Sequence, residues 1–196
     1  MSSNGINRRE FLRILTIAVA AYPISTLAEK RQFKPAIKKY KEPWLTLSVV
    51  QEHLFPAEDD SPGAKDINAL LYLRNLLATP DFDIEESALI KNGVGWLNDL
   101  STKEYKKTFI QLDSAAKEKV LRRIESSNAG SRWLSLLLTY LIEALLTDPV
   151  YGGNPNGIGW QWLQHQPGFP RPTSNKQYFK LNKLKYGQSR TRTTKA

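Results

Sequence analysis

Residues 132–147 read RWLSLLLTYLIEALLT. Apolar side chains in this run fall on nearly every side of a helical wheel. A helix made from it reaches a stable state only when other helices surround it. The run is short for a membrane span and is interrupted by Ser135, Thr139 and Glu143, so it is expected at the centre of a bundle. Ser131 stands immediately before it.

The rest of the chain agrees with a helical class. No segment alternates apolar and polar residues with period two over a convincing length, and no internal repeat is apparent. Trp44 to Phe55 has an amphipathic helical pattern and meets Pro56. Residues 57–64, AEDDSPGA, read as a loop in which Pro62-Gly63 marks a turn. Asp66 is expected to cap a helix carrying Ile67, Leu70, Leu73 and Leu77 and ending at Thr79-Pro80. Residues 84–99 repeat Ile84, Ala88, Leu89, Trp96 and Leu97 on a helical period, weakened by Gly93 and Gly95. Ser101-x-x-Glu104 has the form of a capping box, opening a short helix with Tyr105, Phe109 and Leu112. Asp113 or Ser114 opens the next, with Val120, Leu121 and Ile124 on one face. The expected fold is all-α: an irregular helical bundle with a central apolar helix, a Gly-rich C-terminal loop and an extended basic tail.

The loop is DPVYGGNPNGIGW, residues 148–160. Four chemistries suit such a stretch. Glycine backbones can cradle a phosphate, although these match neither a P-loop nor a dinucleotide fingerprint and no strand precedes them. Asp148, Asn154 and Asn156 can offer oxygens to calcium, although their supply is thin and their spacing follows no known loop. Tyr151, Trp160 and Trp162 can stack a sugar. The fourth reading is structural. Asp148-Pro149 stops the central helix, Gly152-Gly153 turns the chain through angles other residues do not adopt, and Tyr151, Ile158 and Trp160 pack back onto the bundle or a partner. On chemistry alone the structural reading is preferred, and the other three remain open.

Charge narrows the partners. The formal net charge is +9, yet residues 44–170 hold 11 basic and 16 acidic residues, a net charge of −5. The excess lies in residues 1–43 and 171–196, so a nucleic-acid face laid across the domain is not expected. The chain has no cysteine, which removes thiolate zinc sites, cysteine-ligated iron–sulfur clusters and covalently attached c-type haem. The two histidines, His53 and His165, are few for an imidazole metal site and are read as structural rather than as general bases. Glu58, Asp59 and Asp60 are read as solvated loop acids rather than a catalytic cluster. No catalytic, cofactor-binding or metal-binding residue is assigned.

The first residues are of another kind. Arg8-Arg9-Glu10-Phe11-Leu12-Arg13 precedes an apolar run from Ile14 to Ala28. The run is too short for a comfortable span and suits the central region of an export signal. Arg8 and Arg9 followed by Phe11 and Leu12 resemble the twin-arginine motif, which directs already folded proteins to the twin-arginine translocase. Four regions are therefore expected: a signal peptide at 1–28, a flexible leader at 29–43, the helical domain at 44–170 and a basic tail at 171–196 that carries Tyr178, Phe179 and Tyr186.

Asp148-Pro149-Val150-Tyr151-Gly152-Gly153-Asn154, then Gly159-Trp160 and Pro167-Gly168-Phe169-Pro170, resembles the C-terminal signature of the gluconate 2-dehydrogenase subunit 3 family. Phe55-Pro56-Ala57 with Glu58, Asp59, Asp60 and the closing Pro62-Gly63-Ala64 resembles that family's Pro-Ala-acidic loop. The resemblance implies a small subunit that is not catalytic alone and carries no cofactor. Its partner would be a large FAD-dependent dehydrogenase of the glucose–methanol–choline type, acting on a sugar or sugar acid. In such complexes electrons commonly pass to a membrane multihaem cytochrome c. The small subunit would stabilise the flavoprotein and supply its export signal, placing both in the periplasm, held at the membrane by the complex or by an uncleaved signal. The motif residues Asp148, Pro149, Tyr151, Gly152, Gly153, Asn154, Gly159 and Trp160 would order the chain end and face the partner. The rival reading is a standalone periplasmic carbohydrate-binding module using Tyr151, Trp160 and Trp162.

Overall fold

The computed structural model describes residues 40–180. The expected signal with Arg8, Arg9, Phe11 and Leu12, most of the leader and the tail beyond Lys180 lie outside the described residues. Among those described there are six α-helices and no named strand. They are α1 (Trp44–Leu54), α2 (Ala69–Leu77), α3 (Ile84–Tyr105), α4 (Ser114–Glu125), α5 (Asn128–Leu146) and α6 (Ile158–Trp162).

The apolar run forms α5, which packs against all five other helices. It starts earlier than the sequence suggests. Ser127, not Ser131, is its cap, accepting the Gly130 amide on its hydroxyl at 3.1 Å, while Ser131 already donates its own amide to Ser127 O. The 19-residue helix is long and apolar enough to cross a membrane, contrary to the expectation from its length. Its contacts with every neighbour make it a core helix. Trp133, Leu137 and Ala144 are fully buried, while the start of the helix and a strip through Arg132, Ser135, Thr139, Ile142, Glu143 and Leu146 are exposed.

Other helix ends also moved. α1 stops at Leu54 because Phe55 precedes Pro56 and leaves helical geometry. Asp66 does not cap α2. Its carboxylate is taken by the Gly63 amide at 2.8 Å, bracing the Pro62-Gly63 turn, and α2 opens after Asn68 in left-handed geometry. Ser101 opens no helix. It is a fully buried residue inside a continuous α3, its hydroxyl donating to Leu97 O at 2.7 Å, a bond that satisfies serine within a helix. Asp83 caps α3 by accepting the Glu85 and Glu86 amides. Gly93 is tolerated in α3 because Trp133 of α5 lies against it; a Cβ there would sit 2.3 Å from the indole nitrogen. That nitrogen donates to Ile90 O at 3.1 Å, tying α3 to α5. After α3 a short 3₁₀ turn, Phe109–Gln111, drops Phe109 into the core. Asp113 caps α4 as expected, accepting the Ala116 amide.

Two apolar clusters result. The larger gathers α1 to α5 around Leu47, Leu73, Leu97, Val120 and Trp133. The smaller surrounds Ile67, Leu141, Ala144 and Leu145, with Phe55, Ile158 and Trp162 against it. The glycine-rich loop closes over the smaller cluster.

Candidate functional site

The loop begins where α5 runs out of hydrogen-bond partners. A helix leaves its last carbonyls without intrahelical donors. Here the loop supplies them. The Trp160 indole donates to Leu146 O at 2.8 Å, and the Asn154 side-chain amide donates to Thr147 O at 3.0 Å. The helix itself ends before Asp148-Pro149, as the sequence suggests, with Thr147 extended. Asp148 then caps a 3₁₀ turn, Pro149–Tyr151, by accepting the Val150 amide at 3.0 Å.

Gly152 has φ +99°, which L side chains rarely adopt. Gly153 differs from expectation. Its φ is not positive, and it is needed because a Cβ would meet Ala144 O at 2.7 Å. Asn154 follows, fully buried and left-handed at φ +47°. Its backbone amide donates to Ile67 O at 2.9 Å, and its Oδ1 accepts the Gly159 amide at 2.7 Å. One residue thus joins the end of α5, the start of α6 and the segment ahead of α2. Gly159 presses on α5, where a Cβ would lie 2.1 Å from Leu145 O.

The Pro-Ala-acidic loop meets the same region. Phe55 packs edge-on against Trp162, ring centroids 6.3 Å apart. Glu58, Asp59 and Asp60 are exposed. His53 pairs with Glu118 at 2.9 Å across α1 and α4, and His165 is exposed, its backbone amide bonded to Trp160 O.

Residues 171–180 fold back over the loop, a feature the sequence did not signal. The Arg171 guanidinium donates to Asp148 Oδ2 at 2.8 Å and lies 5.0 Å from the Trp160 ring centroid. Gln177 donates to Val150 O at 2.7 Å. The Tyr178 amide donates to the Tyr151 hydroxyl at 3.2 Å, and the rings of Tyr151, Tyr178 and Phe179 stand mutually within 6.4 Å. Partial burial by itself would raise the Asp148 carboxyl, but the Arg171 hydrogen bond, the Val150 amide and the Arg171 charge together hold it below the usual aspartate value.

These bonds decide between the chemistries of the loop. The amides of Gly152, Gly157 and Gly159 are spent on Pro149 O, Asn154 O and Asn154 Oδ1, so they do not form a phosphate cradle. The side-chain oxygens of Asp148 and Asn154 are likewise engaged, and Asn156 gives its carbonyl to Gln161. Among the described residues no group of three acidic or histidine side chains is placed to hold a metal ion. Tyr151, Trp160 and Trp162 do not form one platform: Trp160 is buried beneath Arg171, Trp162 faces Phe55, and Tyr151 faces the returning segment.

Two further phenol–carboxylate pairs flank α5. Tyr72 donates to Glu143 at 3.0 Å and Tyr140 to Glu86 at 2.6 Å. Burial first, then the neighbouring carboxylates, pushes both phenols well above the usual tyrosine value.

The loop geometry is that of a structural motif whose polar atoms face its own chain. No curated protein and no solved structure matches this chain. The model of the family described as gluconate 2-dehydrogenase subunit 3 matches residues 41–168, about two thirds of the chain. The matched span contains both loops and the residues that lock them together, and the chain belongs to the gluconate 2-dehydrogenase subunit 3 family.

Proposed function

We propose that this chain is the non-catalytic small subunit of an exported dehydrogenase complex. Its large partner is an FAD-dependent enzyme of the glucose–methanol–choline type that oxidises a sugar or sugar acid. The observation that carries this reading is the family match over residues 41–168. The motif chemistry supports it, because the loop residues serve to hold a surface in shape rather than to transform a substrate. In this reading FAD belongs to the partner, and a c-type haem belongs to a further membrane subunit where the complex has one.

Arg8 and Arg9 are the export signal of the pair in this proposal. The chain engages the twin-arginine translocase, and the flavoprotein, folded around FAD in the cytoplasm, travels with it to the periplasm. Replacing Arg8 and Arg9 together with lysine should retain both subunits in the cytoplasm, read by fractionation and immunoblot of each. Periplasmic flavoprotein in that double variant would remove the carrier role. Affinity capture of the tagged chain from its host should also bring down a larger protein with flavin absorbance. A colourless solitary chain would remove the subunit role.

A further inference from the structure

The segment 171–180 does more than cover the loop. With α2 and the end of α5 it borders an open cleft of about 500 Å³, within the range of small-molecule sites. Its lining includes Tyr72, Asn75, Thr147, Tyr151, Gln177 and Tyr178.

Three properties of that lining point to one ligand chemistry. First, it is aromatic. Tyr151 and Tyr178 stand 5.6 Å apart, Tyr72 contributes a third ring, and Tyr178 is 57 % exposed. Second, it holds unspent neutral hydrogen-bonding capacity. Asn75 and Gln177 each give an amide N–H to the backbone of the loop, to Tyr151 O and Val150 O, and neither carbonyl has a partner among the described residues. The Thr147 and Tyr178 hydroxyls are similarly without partners there. Third, no lysine, arginine or histidine lines it. Two charges touch it from outside: the Glu143 carboxylate on Tyr72, and the Lys180 ammonium, which lies 5.8 Å from the Phe179 ring centroid and donates to Ser174 O. An anionic ligand would find no cation in the lining itself and a carboxylate bonded to one of its rings.

We infer that this cleft binds a neutral sugar: a hexose stacks its apolar C–H face on the tyrosines and shares its hydroxyls with the Asn75 and Gln177 carbonyls and the Thr147 hydroxyl. The site differs from the trio Tyr151, Trp160 and Trp162, two of which are committed elsewhere. It discriminates a neutral sugar from the corresponding sugar acid, because only the acid brings a carboxylate into an uncharged lining. The inference stands on the cleft itself and holds whether or not this chain carries a flavoprotein.

Isothermal titration of the full chain with D-glucose, and with D-gluconate as the charged control, tests it. Glucose should bind saturably with a Kd on the order of 1 mM, a strength suited to a small polar ligand in an open site. Gluconate should bind at least tenfold more weakly. Tyr178→Ala should abolish the glucose signal while Tyr178→Phe, which keeps the ring, retains most of it. Unchanged thermal unfolding of Tyr178→Ala by circular dichroism excludes collapse as the cause. The inference fails if no neutral hexose gives saturable heat, if Tyr178→Ala binds as well as the parent, or if gluconate binds as tightly as glucose.

Discussion

The Gly159 backbone amide donates to the Asn154 side-chain oxygen at 2.7 Å, in a site where Asn154 has no solvent exposure. The Asn154 side-chain nitrogen, Nδ2, donates to Thr147 O at 3.0 Å. Asn154→Ala would leave a buried donor and a buried acceptor unpaired and force alanine into left-handed geometry. A loss of about 3 kcal/mol is expected, since each unsatisfied buried group costs about 1–3 kcal/mol. Urea denaturation of the full chain measures it. A loss near zero would mean that the loop does not depend on this bond.

Gly159 and Gly95 offer a matched test of why glycine occurs. At Gly159 a methyl would strike the Leu145 carbonyl, a backbone atom in a packed helix, whereas at Gly95 nothing lies within 4 Å. Gly159→Ala should destabilise by about 2 kcal/mol through forced separation of α5 and α6. Gly95→Ala, inside α3, should stabilise by about 0.5–1 kcal/mol through helix propensity and lower unfolded-state entropy. Melting curves of the two variants should move in opposite directions.

Gln51 is 1 % exposed, and neither atom of its amide has a hydrogen-bond partner among the described residues. An unpaired buried amide opposes folding. Gln51→Met keeps the volume and removes the polar atoms, so a gain of about 1–2 kcal/mol is expected. Destabilisation in the same denaturation assay would show that the amide has a partner in solution.

The Asp148–Arg171 pair sets an acid limit on the loop. The folded carboxyl lies below the ordinary aspartate value of 3.8. Its contribution is therefore present above the unfolded value and is lost as the pH falls through the lower folded one. In Arg171→Ala the hydrogen bond and charge that lower it are gone, while partial burial, which raises it, remains. Carboxyl-resolved NMR titration should show the Asp148 midpoint moving upward. Because Arg171 is largely exposed, the effect should also shrink in high salt.

The class of fold is legible in residues 132–147, because a helix apolar on nearly all sides has few stable environments. The caps at Asp113 and the stop before Asp148-Pro149 are legible for the same reason: each acts through bonds between neighbours in the chain. Ser101 shows the limit. Ser-x-x-Glu reads as a helix start, but the serine can also bond back to Leu97 O when the helix continues, and burial of Leu97 and its neighbours decided in favour of continuation. Asp66 likewise had two local uses, and the turn at Gly63 took its carboxylate.

The candidate site divides in the same way. Asp148, Tyr151, Asn154 and Trp160 were identifiable as a motif from their order, and Gly152 as a turn from its lack of a side chain. What they hold was not readable. Trp160 reaches Leu146 O, Asn154 reaches Ile67 O, and Arg171 returns to Asp148 from 23 positions away. Sequence periodicity carries information about neighbours one or two helical turns apart. The closure of α5 by the loop, and of the loop by residues 171–180, depends on distances set by the packed helices, which only the tertiary structure decides.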